Sequence, residues 1–341
     1  MADLPAGPHW LYEEGIGEAR AALVQGGRIV EAQIEREDGR VRAGGIHGGR
    51  LIRALIPRKR GIARLDGGEA VLIEPIPPRV AEGASVRVEI LREAIGEPGM
   101  DEAREKLARG RIATPGLTAG PGPSLYQRIM AGDFPVVPCP AHEADHLEAA
   151  GWSELLAEAA SGEVGREDAA LRLFLTPAMT LIDVDGSLPP AQLGPKGAKL
   201  AAQSIRCMGI AGSIGIDLPT MNNKDERLVV AAQIDKYLPQ PFERTAVNGF
   251  GFIQIIRRRE RASLIELLRA DPVRAAAMAA LRAAERAEGA GAARLTVAPP
   301  VARDIRAHPD WIRLLERRRG GGVEILGDET LAIGGHHVHH G

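Results

Sequence analysis

Asp183, Asp185 and Asp217 are the residues whose type and spacing most directly suggest chemistry. The first two stand in Thr180-Leu181-Ile182-Asp183-Val184-Asp185-Gly186. Residues two apart in a strand point to one face, so these carboxylates project together while Ile182 and Val184 turn into a core. Neighbouring carboxylates repel, and a shared proton or a bound cation relieves the repulsion. A hard divalent ion such as Mg2+, or Mn2+ in its place, takes oxygen ligands and keeps several waters. That suits one or two carboxylates plus a substrate phosphate. Asp217 ends the apolar run Ile214-Gly215-Ile216 and joins the pair if the two strands are neighbours. An Asp-x-Asp at a strand end also serves as a turn or a helix cap, so spacing alone leaves both readings open.

Cations that could hold a polyanion are local rather than global. Lys plus Arg number 43 against 45 Asp plus Glu, a net charge of −2, so any nucleic-acid contact must come from patches. Such patches are Arg58, Lys59 and Arg60 with Arg53 and Arg64; Arg257, Arg258 and Arg259 with Arg261; and Arg317, Arg318 and Arg319. Each could equally be a solvated face. Aromatic residues make up only 3%, which argues against a surface built mainly of base-stacking rings. Cys139-x-x-His142-x-x-x-His146 has spacing that could hold zinc, but shows only three ligands; a buried thiol and two surface histidines are the preferred reading. The terminal His336-His337-Val338-His339-His340 could bind a transition metal adventitiously and is assigned no catalytic role. The two cysteines are too few for a disulfide framework and fit a reducing compartment. No apolar run reaches the length of a membrane helix and the N-terminus lacks a signal-peptide layout, so the expected compartment is the cytoplasm, with no membrane partner.

The elements that must position these residues follow from periodicity. Residues 18–36 alternate around Gly26-Gly27 and predict a hairpin. Residues 44–93 break into four or five short strands punctuated by glycine and proline, which predicts a small barrel. Residues 96–123 look like a linker with one helical piece at 101–109. Beyond it come a strand at 134–137 and helices at 141–150 and 152–159. Strands at 171–175 and 179–184, a helix at 196–208, a strand at 213–218, a helix opened by Asn223-Lys224-Asp225-Glu226, and a strand at 250–256 make an α/β layer with ligands expected at strand ends. The face of the helix at 228–238 is read as core packing. Residues 263–288 are Ala- and Arg-rich and helical, and 293–325 repeat a smaller strand-helix-helix-strand theme.

Taken together, Thr180 to Gly186, the helical Ala201-Ala202-Gln203-Ser204-Ile205-Arg206, Gly212-Ser213-Ile214-Gly215-Ile216-Asp217-Leu218-Pro219-Thr220-Met221 and Phe250-Gly251-Phe252-Ile253-Gln254-Ile255-Ile256-Arg257-Arg258-Arg259 resemble the catalytic DNase I-like subdomain of the ribonuclease E/G family. Order and spacing match across residues 171–268. The resemblance implies a multidomain α+β fold: a split RNase H-like subdomain (1–43 and 97–165), an inserted OB-type RNA-binding barrel (44–96), the DNase I-like catalytic subdomain (166–265) and a small C-terminal α/β domain (266–341).

By the same resemblance Asp183 and Asp217 are magnesium ligands, and cleavage of single-stranded RNA leaves a 5′-phosphate and a 3′-hydroxyl. Asp185 stands where the family has asparagine, so it is an additional ligand or a water-orienting group. Thr220 replaces a further acid. Arg64 and Gly67 replace the barrel aromatics, so phosphate contacts from Arg58, Lys59, Arg60 and Arg64 are the expected substitute. Arg206, Arg257, Arg258 and Arg259 fall in matching stretches and could hold the RNA backbone or stabilise transition-state charge, or simply solubilise. The chain is too short between barrel and catalytic strand for the family's 5′-monophosphate sensor, and lacks the cysteine pair of its zinc clip. Cleavage without 5′-end preference and no structural zinc are expected, with self-association through the C-terminal module left open. The competing expectation is an inactive RNA-binding or ribosome-associated protein on the same fold.

Overall fold

The computed structural model describes residues 4–97, 104–289 and 291–340. It opens with a meander of β1 (His9–Glu14), β2 (Glu18–Gln25) and β3 (Arg28–Arg36). The last two form the hairpin that their alternation predicts. Leu11, Ala22, Val24 and Ala32 turn to the largest core, while Trp10, Ala21 and Leu23 turn to a smaller cluster on the other face. Both faces of this sheet are therefore covered.

Next come β4 (Ile46–Ile56), β5 (Arg60–Leu65), β6 (Ala70–Ile73) and β7 (Ser85–Arg92), then a ribbon of β8 (Ile95–Glu97) with β9 (Arg104–Lys106), and β10 (Ala108–Ile112). The barrel expected at residues 44–93 is present, and β10 closes it in the order β10-β6-β5-β4-β7. The helical piece expected at 101–109 is corrected accordingly. Residues 104–106 and 108–112 are extended, while 101–103 lie outside the described residues. Ala108 and Gly110 face in and Arg109 and Arg111 face out, a period of two. A fifth strand there pairs the free edges of β6 and β7, which would otherwise expose unmatched backbone groups.

After α1 (Leu125–Met130), whose capping box joins Ser124 and Gln127, β11 (Val136–Pro138) adds to β1 in parallel and completes the order β11-β1-β2-β3. The helix expected from 141 is only the single turn α2 (His146–Ala149). Asp145 sets its start by accepting from the Glu148 N–H, so the residues before it do not join the helix. The helix α3 (Trp152–Ser161) follows.

The largest sheet contains β12 (Glu163–Gly165), β13 (Ala170–Leu175) and β14 (Thr180–Asp185). After α4 (Pro190–Cys207) come β15 (Gly212–Asp217), α5 (Lys224–Tyr237), β16 (Glu243–Arg244) and β17 (Phe252–Arg257). Its order is β12-β13-β14-β15-β17-β16. The prolines expected as a loop before 196 instead start α4, where Pro190 has no N–H to leave unmatched. Ile182, Val184, Ile214, Ile216, Ile253 and Ile255 form the buried face, and α4 and α5 lie in the same core. A Cβ at Gly197 would stand 2.2 Å from Val184, so only glycine lets α4 approach β14 this closely. In α5 the buried stripe is Val230, Ala231 and Ile234. Leu228 and Val229, expected to pack, are exposed because they lie outside the stripe that meets the rest of the core. Leu11, Ala22 and Val24 share this core, so the N-terminal sheet and the α/β layer pack as one body.

The rest is α6 (Leu264–Ala270), α7 (Pro272–Arg286), β18 (Ala293–Val297), α8 (Pro299–Arg306), α9 (Pro309–Arg319), β19 (Val323–Gly327) and β20 (His336–His340). The helical stretch expected at 263–288 divides at Asp271, which ends α6 and caps α7 through the Arg274 N–H. The histidine-rich terminus is a strand on the edge of a three-stranded sheet ordered β19-β18-β20.

A buried ion network ties these parts together. Arg20 donates to both Glu13 oxygens at 2.9 and 3.0 Å and to Asp145 at 2.8 Å. Arg286 of α7 reaches the same two carboxylates, and Arg282 pairs with Glu18. The molecule is thus a mixed α+β assembly of several sheets and one closed barrel. No helix among the described residues is long and apolar enough to cross a membrane.

Candidate metal centre and nucleic-acid interface

The strand register decides whether the three aspartates meet. β14 and β15 are parallel neighbours, joined through α4, and Asp183 pairs directly with Asp217. Both carboxylates therefore stand side by side at the C-terminal ends of adjacent strands, with Asp185 one pleat further along β14. This is the end of an α/β sheet where ligands usually sit. The helices cover the opposite face, which is why Ile182, Val184 and Ile216 are buried while Asp185 and Asp217 remain exposed.

The register also brings in one residue not singled out from the sequence. Arg172 on β13 is the register partner of Asp183, so Arg172, Asp183, Asp217 and Phe252 form one row across the open face. The Arg172 guanidinium lies 3.4 Å from Asp185, with both side chains more than half exposed, so the pair is weakly stabilising and free to exchange partners. Lys196 reaches Asp168 at 2.6 Å, and Asp168 lies just before the β13 end that pairs with Asp185. Alternation in Leu171-Arg172-Leu173 already marked Arg172 as outward-facing. Only the β13–β14 register places it beside Asp183.

The carboxylates offer hard oxygen donors without thiolate or imidazole, which suits magnesium rather than zinc. Among the described residues no group of three or more His, Cys, Asp or Glu side chains encloses a metal site by itself. A magnesium ion held here would keep water and phosphate ligands, as that ion commonly does.

The cations expected to contact RNA fall into two groups, one at the far end of this sheet and one on the barrel. Because β17 runs antiparallel to β15, Phe252 adjoins Asp217 but Arg257 adjoins Gly212, at the far end of the sheet. Five residues of strand separate the two positions by about 16 Å. Arg257 donates to the Ile210 carbonyl at 2.8 Å, and burial pushes its pKa down. Arg259 pairs with Glu266, whereas Arg258 is exposed beside Glu260 at 3.2 Å. Arg206 ends α4 at this same far end, half-buried. Arg206, Arg257, Arg258 and Arg259, expected to hold the RNA backbone, to stabilise transition-state charge or simply to solubilise, thus lie at the sheet end away from the aspartates and are poorly placed for direct charge stabilisation there. In that role Arg172 is far better placed.

Arg58, Lys59 and Arg60 lie in and beside the β4–β5 turn and are exposed, as is Arg64. Arg60 is lightly tethered to Glu74 at 3.3 Å and Arg64 to the Gly68 carbonyl at 3.1 Å. Ile52, Leu55 and Ile56 are exposed on the same hairpin, giving it an apolar edge that patterning did not indicate.

Cys139 is buried, with its thiol 3.6 Å from the Val137 carbonyl, while His142 is exposed and His146 opens α2. Burial pushes the Cys139 thiol up to about 11 and the Cys207 thiol to about 12. Both stay protonated and poorly nucleophilic at neutral pH. The folded chain is expected to resist alkylation by iodoacetamide that modifies both thiols in denaturant, and mass spectrometry of the two samples checks this.

No protein-family model matches the chain, and no curated protein matches it significantly.

Proposed function

We propose that this chain is a magnesium-dependent endoribonuclease that cuts single-stranded RNA. The observation that carries the reading is the direct pairing of Asp183 with Asp217 on parallel neighbours, with Asp185 one pleat away on an open face. The resemblance of residues 171–268 to the ribonuclease E/G catalytic subdomain supports it, as does a closed barrel where that family carries its OB-type RNA-binding domain.

In this reading Asp183 and Asp217 hold the ion, which when bound polarises a phosphoryl oxygen and lowers the pKa of a coordinated water. Asp185 accepts a hydrogen bond from the attacking water and orients it. The water oxygen bonds to phosphorus while one of its protons passes to solvent, the bond to the 3′-oxygen breaks, and that oxygen takes a proton from solvent, giving a 5′-phosphate and a 3′-hydroxyl. Arg172 leaves Asp185 to neutralise charge gathering on the phosphoryl oxygens. Arg58, Lys59, Arg60, Arg64 and Arg258 hold the RNA backbone, and the chain cuts without regard to the 5′ end.

The test is incubation of a fluorescent single-stranded RNA with the full chain, with magnesium or with chelator, followed by analysis of the product ends. Magnesium-dependent cutting to 5′-phosphates supports the reading. RNA binding without cutting replaces it with the non-catalytic binder. The barrel cations have a separate signature. Arg58→Ala with Lys59→Ala should flatten the dependence of log affinity on log salt by about 0.7 for each phosphate no longer neutralised, and a titration at several salt concentrations measures it. An unchanged slope would remove the barrel hairpin from the RNA path.

A further inference from the structure

We infer that Phe250 is a base-stacking subsite of the carboxylate centre, taking an unpaired nucleobase of the RNA next to the bond that is cut. The identity of the ligand rests on the nuclease reading, whereas the place of the subsite rests on separate observations. Phe250 is 83% exposed, the most exposed of the large apolar side chains among the described residues. Leaving a phenyl ring in water is unfavourable, by about 25 cal/mol for each Å² of apolar surface that could otherwise be buried.

The loop that displays the ring is built, not loose. The Asn248 side chain accepts from the Phe250 N–H at 2.9 Å and from the Phe252 N–H at 3.0 Å. Its backbone N–H donates to the Phe252 carbonyl at 2.9 Å and its carbonyl accepts from Gly251 at 3.2 Å. Gly251 has φ +92°, and a Cβ there would stand 2.2 Å from the Leu218 carbonyl oxygen, so the following position accepts only glycine. The same loop is stitched to the chain leaving Asp217. The Leu218 N–H donates to the Gly251 carbonyl at 3.3 Å, and the Thr220 hydroxyl donates to the Phe250 carbonyl at 3.4 Å. Phe250 is thereby fixed at the carboxylate end of the sheet, two residues before Phe252, the register partner of Asp217.

Its surroundings distinguish a base from a protein partner. Asn248, Gly249 and Thr220 are exposed and polar or small, so the loop around the ring adds no apolar surface of the kind that protein interfaces use. An exposed ring on a fixed loop at the carboxylate end of the sheet suits a planar base, because every base presents a π-face and stacking needs no hydrogen-bond match. The subsite therefore tolerates all four bases, favouring purines for their larger stacking area.

The experiment uses the full chain with Phe250→Ala, Phe250→Tyr and Phe250→Trp, and short single-stranded oligoadenylate and oligouridylate RNAs as probes. Phe250→Ala should raise KM for cleavage by roughly 5- to 150-fold, the range expected for removing one stack, with kcat little changed. Phe250→Tyr should restore KM. Trp10, Trp152 and Trp311 are all buried, so the indole of Phe250→Trp reports from the surface. Its emission should be quenched by RNA, also when Asp183→Asn has removed cutting. Cutting with an unchanged KM in Phe250→Ala, and no quenching in Phe250→Trp, would overturn the subsite while leaving the nuclease reading intact. Quenching in a chain that never cuts would keep Phe250 as an RNA-base contact but overturn the nuclease reading, and with it the place of the subsite next to a cut bond. Because the position is exposed, the variants should keep their fold, and unchanged thermal midpoints verify that.

Discussion

Asp183→Asn and Asp217→Asn should each lower magnesium-dependent cleavage by on the order of a thousandfold, the scale on which loss of a principal charge-stabilising group acts. The side chains keep their size and one oxygen, but lose the charge that would hold a dication on an open strand end. Stability should move the other way. The two carboxylates are direct neighbours across the β14–β15 pair, and like charges so placed repel. Removing one should leave the thermal midpoint unchanged or slightly raised in metal-free buffer. Loss of activity with undiminished stability is therefore the paired result, read by initial rates and by thermal unfolding of the same samples. Asp185→Asn should act far more gently, well below the roughly hundredfold loss of a general base, because the amide keeps an oxygen that can orient the water and Asp185 already shares charge with Arg172. Full activity in Asp183→Asn would remove the metal-site reading, whatever the barrel does.

How far such a site is legible from sequence depends on what type of information each residue needs. That Asp183 and Asp185 share a face follows from alternation alone, because the pleat has a period of two and Ile182 and Val184 mark the inner side. That Asp217 lies beside Asp183 required β14 and β15 to be neighbours in register. The α4 crossover between two apolar strands made this the natural guess, since parallel neighbours need such a connection. Alternation turns Arg172 outward but does not place it: it lies before a turn, and the β13–β14 register that aligns it with Asp183 is set by Thr176 bonding across that turn to Met179. The arginines at 257–259 misled because neighbouring stretches in sequence suggested neighbouring places. An antiparallel β17 carries the end of its strand away from the carboxylates. The β10 strand was hidden for a similar reason, since its partners β6 and β7 precede it and only barrel closure demands it. Short-range patterning thus located faces and element types, whereas strand direction and register, which are long-range properties, decided which charges meet.

The same long-range pairing makes Arg20 a residue whose loss should cost the fold heavily. Its side chain is 2% exposed, donates to Glu13 twice and to Asp145 once, and lies 5.3 Å from the Trp152 ring centroid. It links β2, β1 and the turn before α2, and Arg282 and Arg286 of α7 also reach the Glu13 carboxylate. Removing one partner of a buried pair leaves the other charge uncompensated, which typically costs about 3–5 kcal/mol. Arg20→Met should fall toward the low end of that range, because Arg282 and Arg286 still face Glu13. Adding Glu13→Gln should recover part of the loss.

The pH dependence distinguishes removal of these ion pairs from simple loss of packing. Burial pushes the Asp145 carboxyl up, but Arg20, the Glu148 N–H and Arg286 outweigh it and hold its pKa below the ordinary carboxylate value. A group depressed in this way adds stability that is present above its unfolded pKa, about 3.9, and is lost as pH falls through the folded value. In Arg20→Met the principal cause of the depression is gone. Urea unfolding of wild type and variant should therefore differ most near neutral pH, and the two stabilities should converge as pH falls below about 4. A gap of constant size from neutral pH into acid would mean that Arg20 matters for the space it fills and its contact with Trp152, not for the carboxylates it pairs.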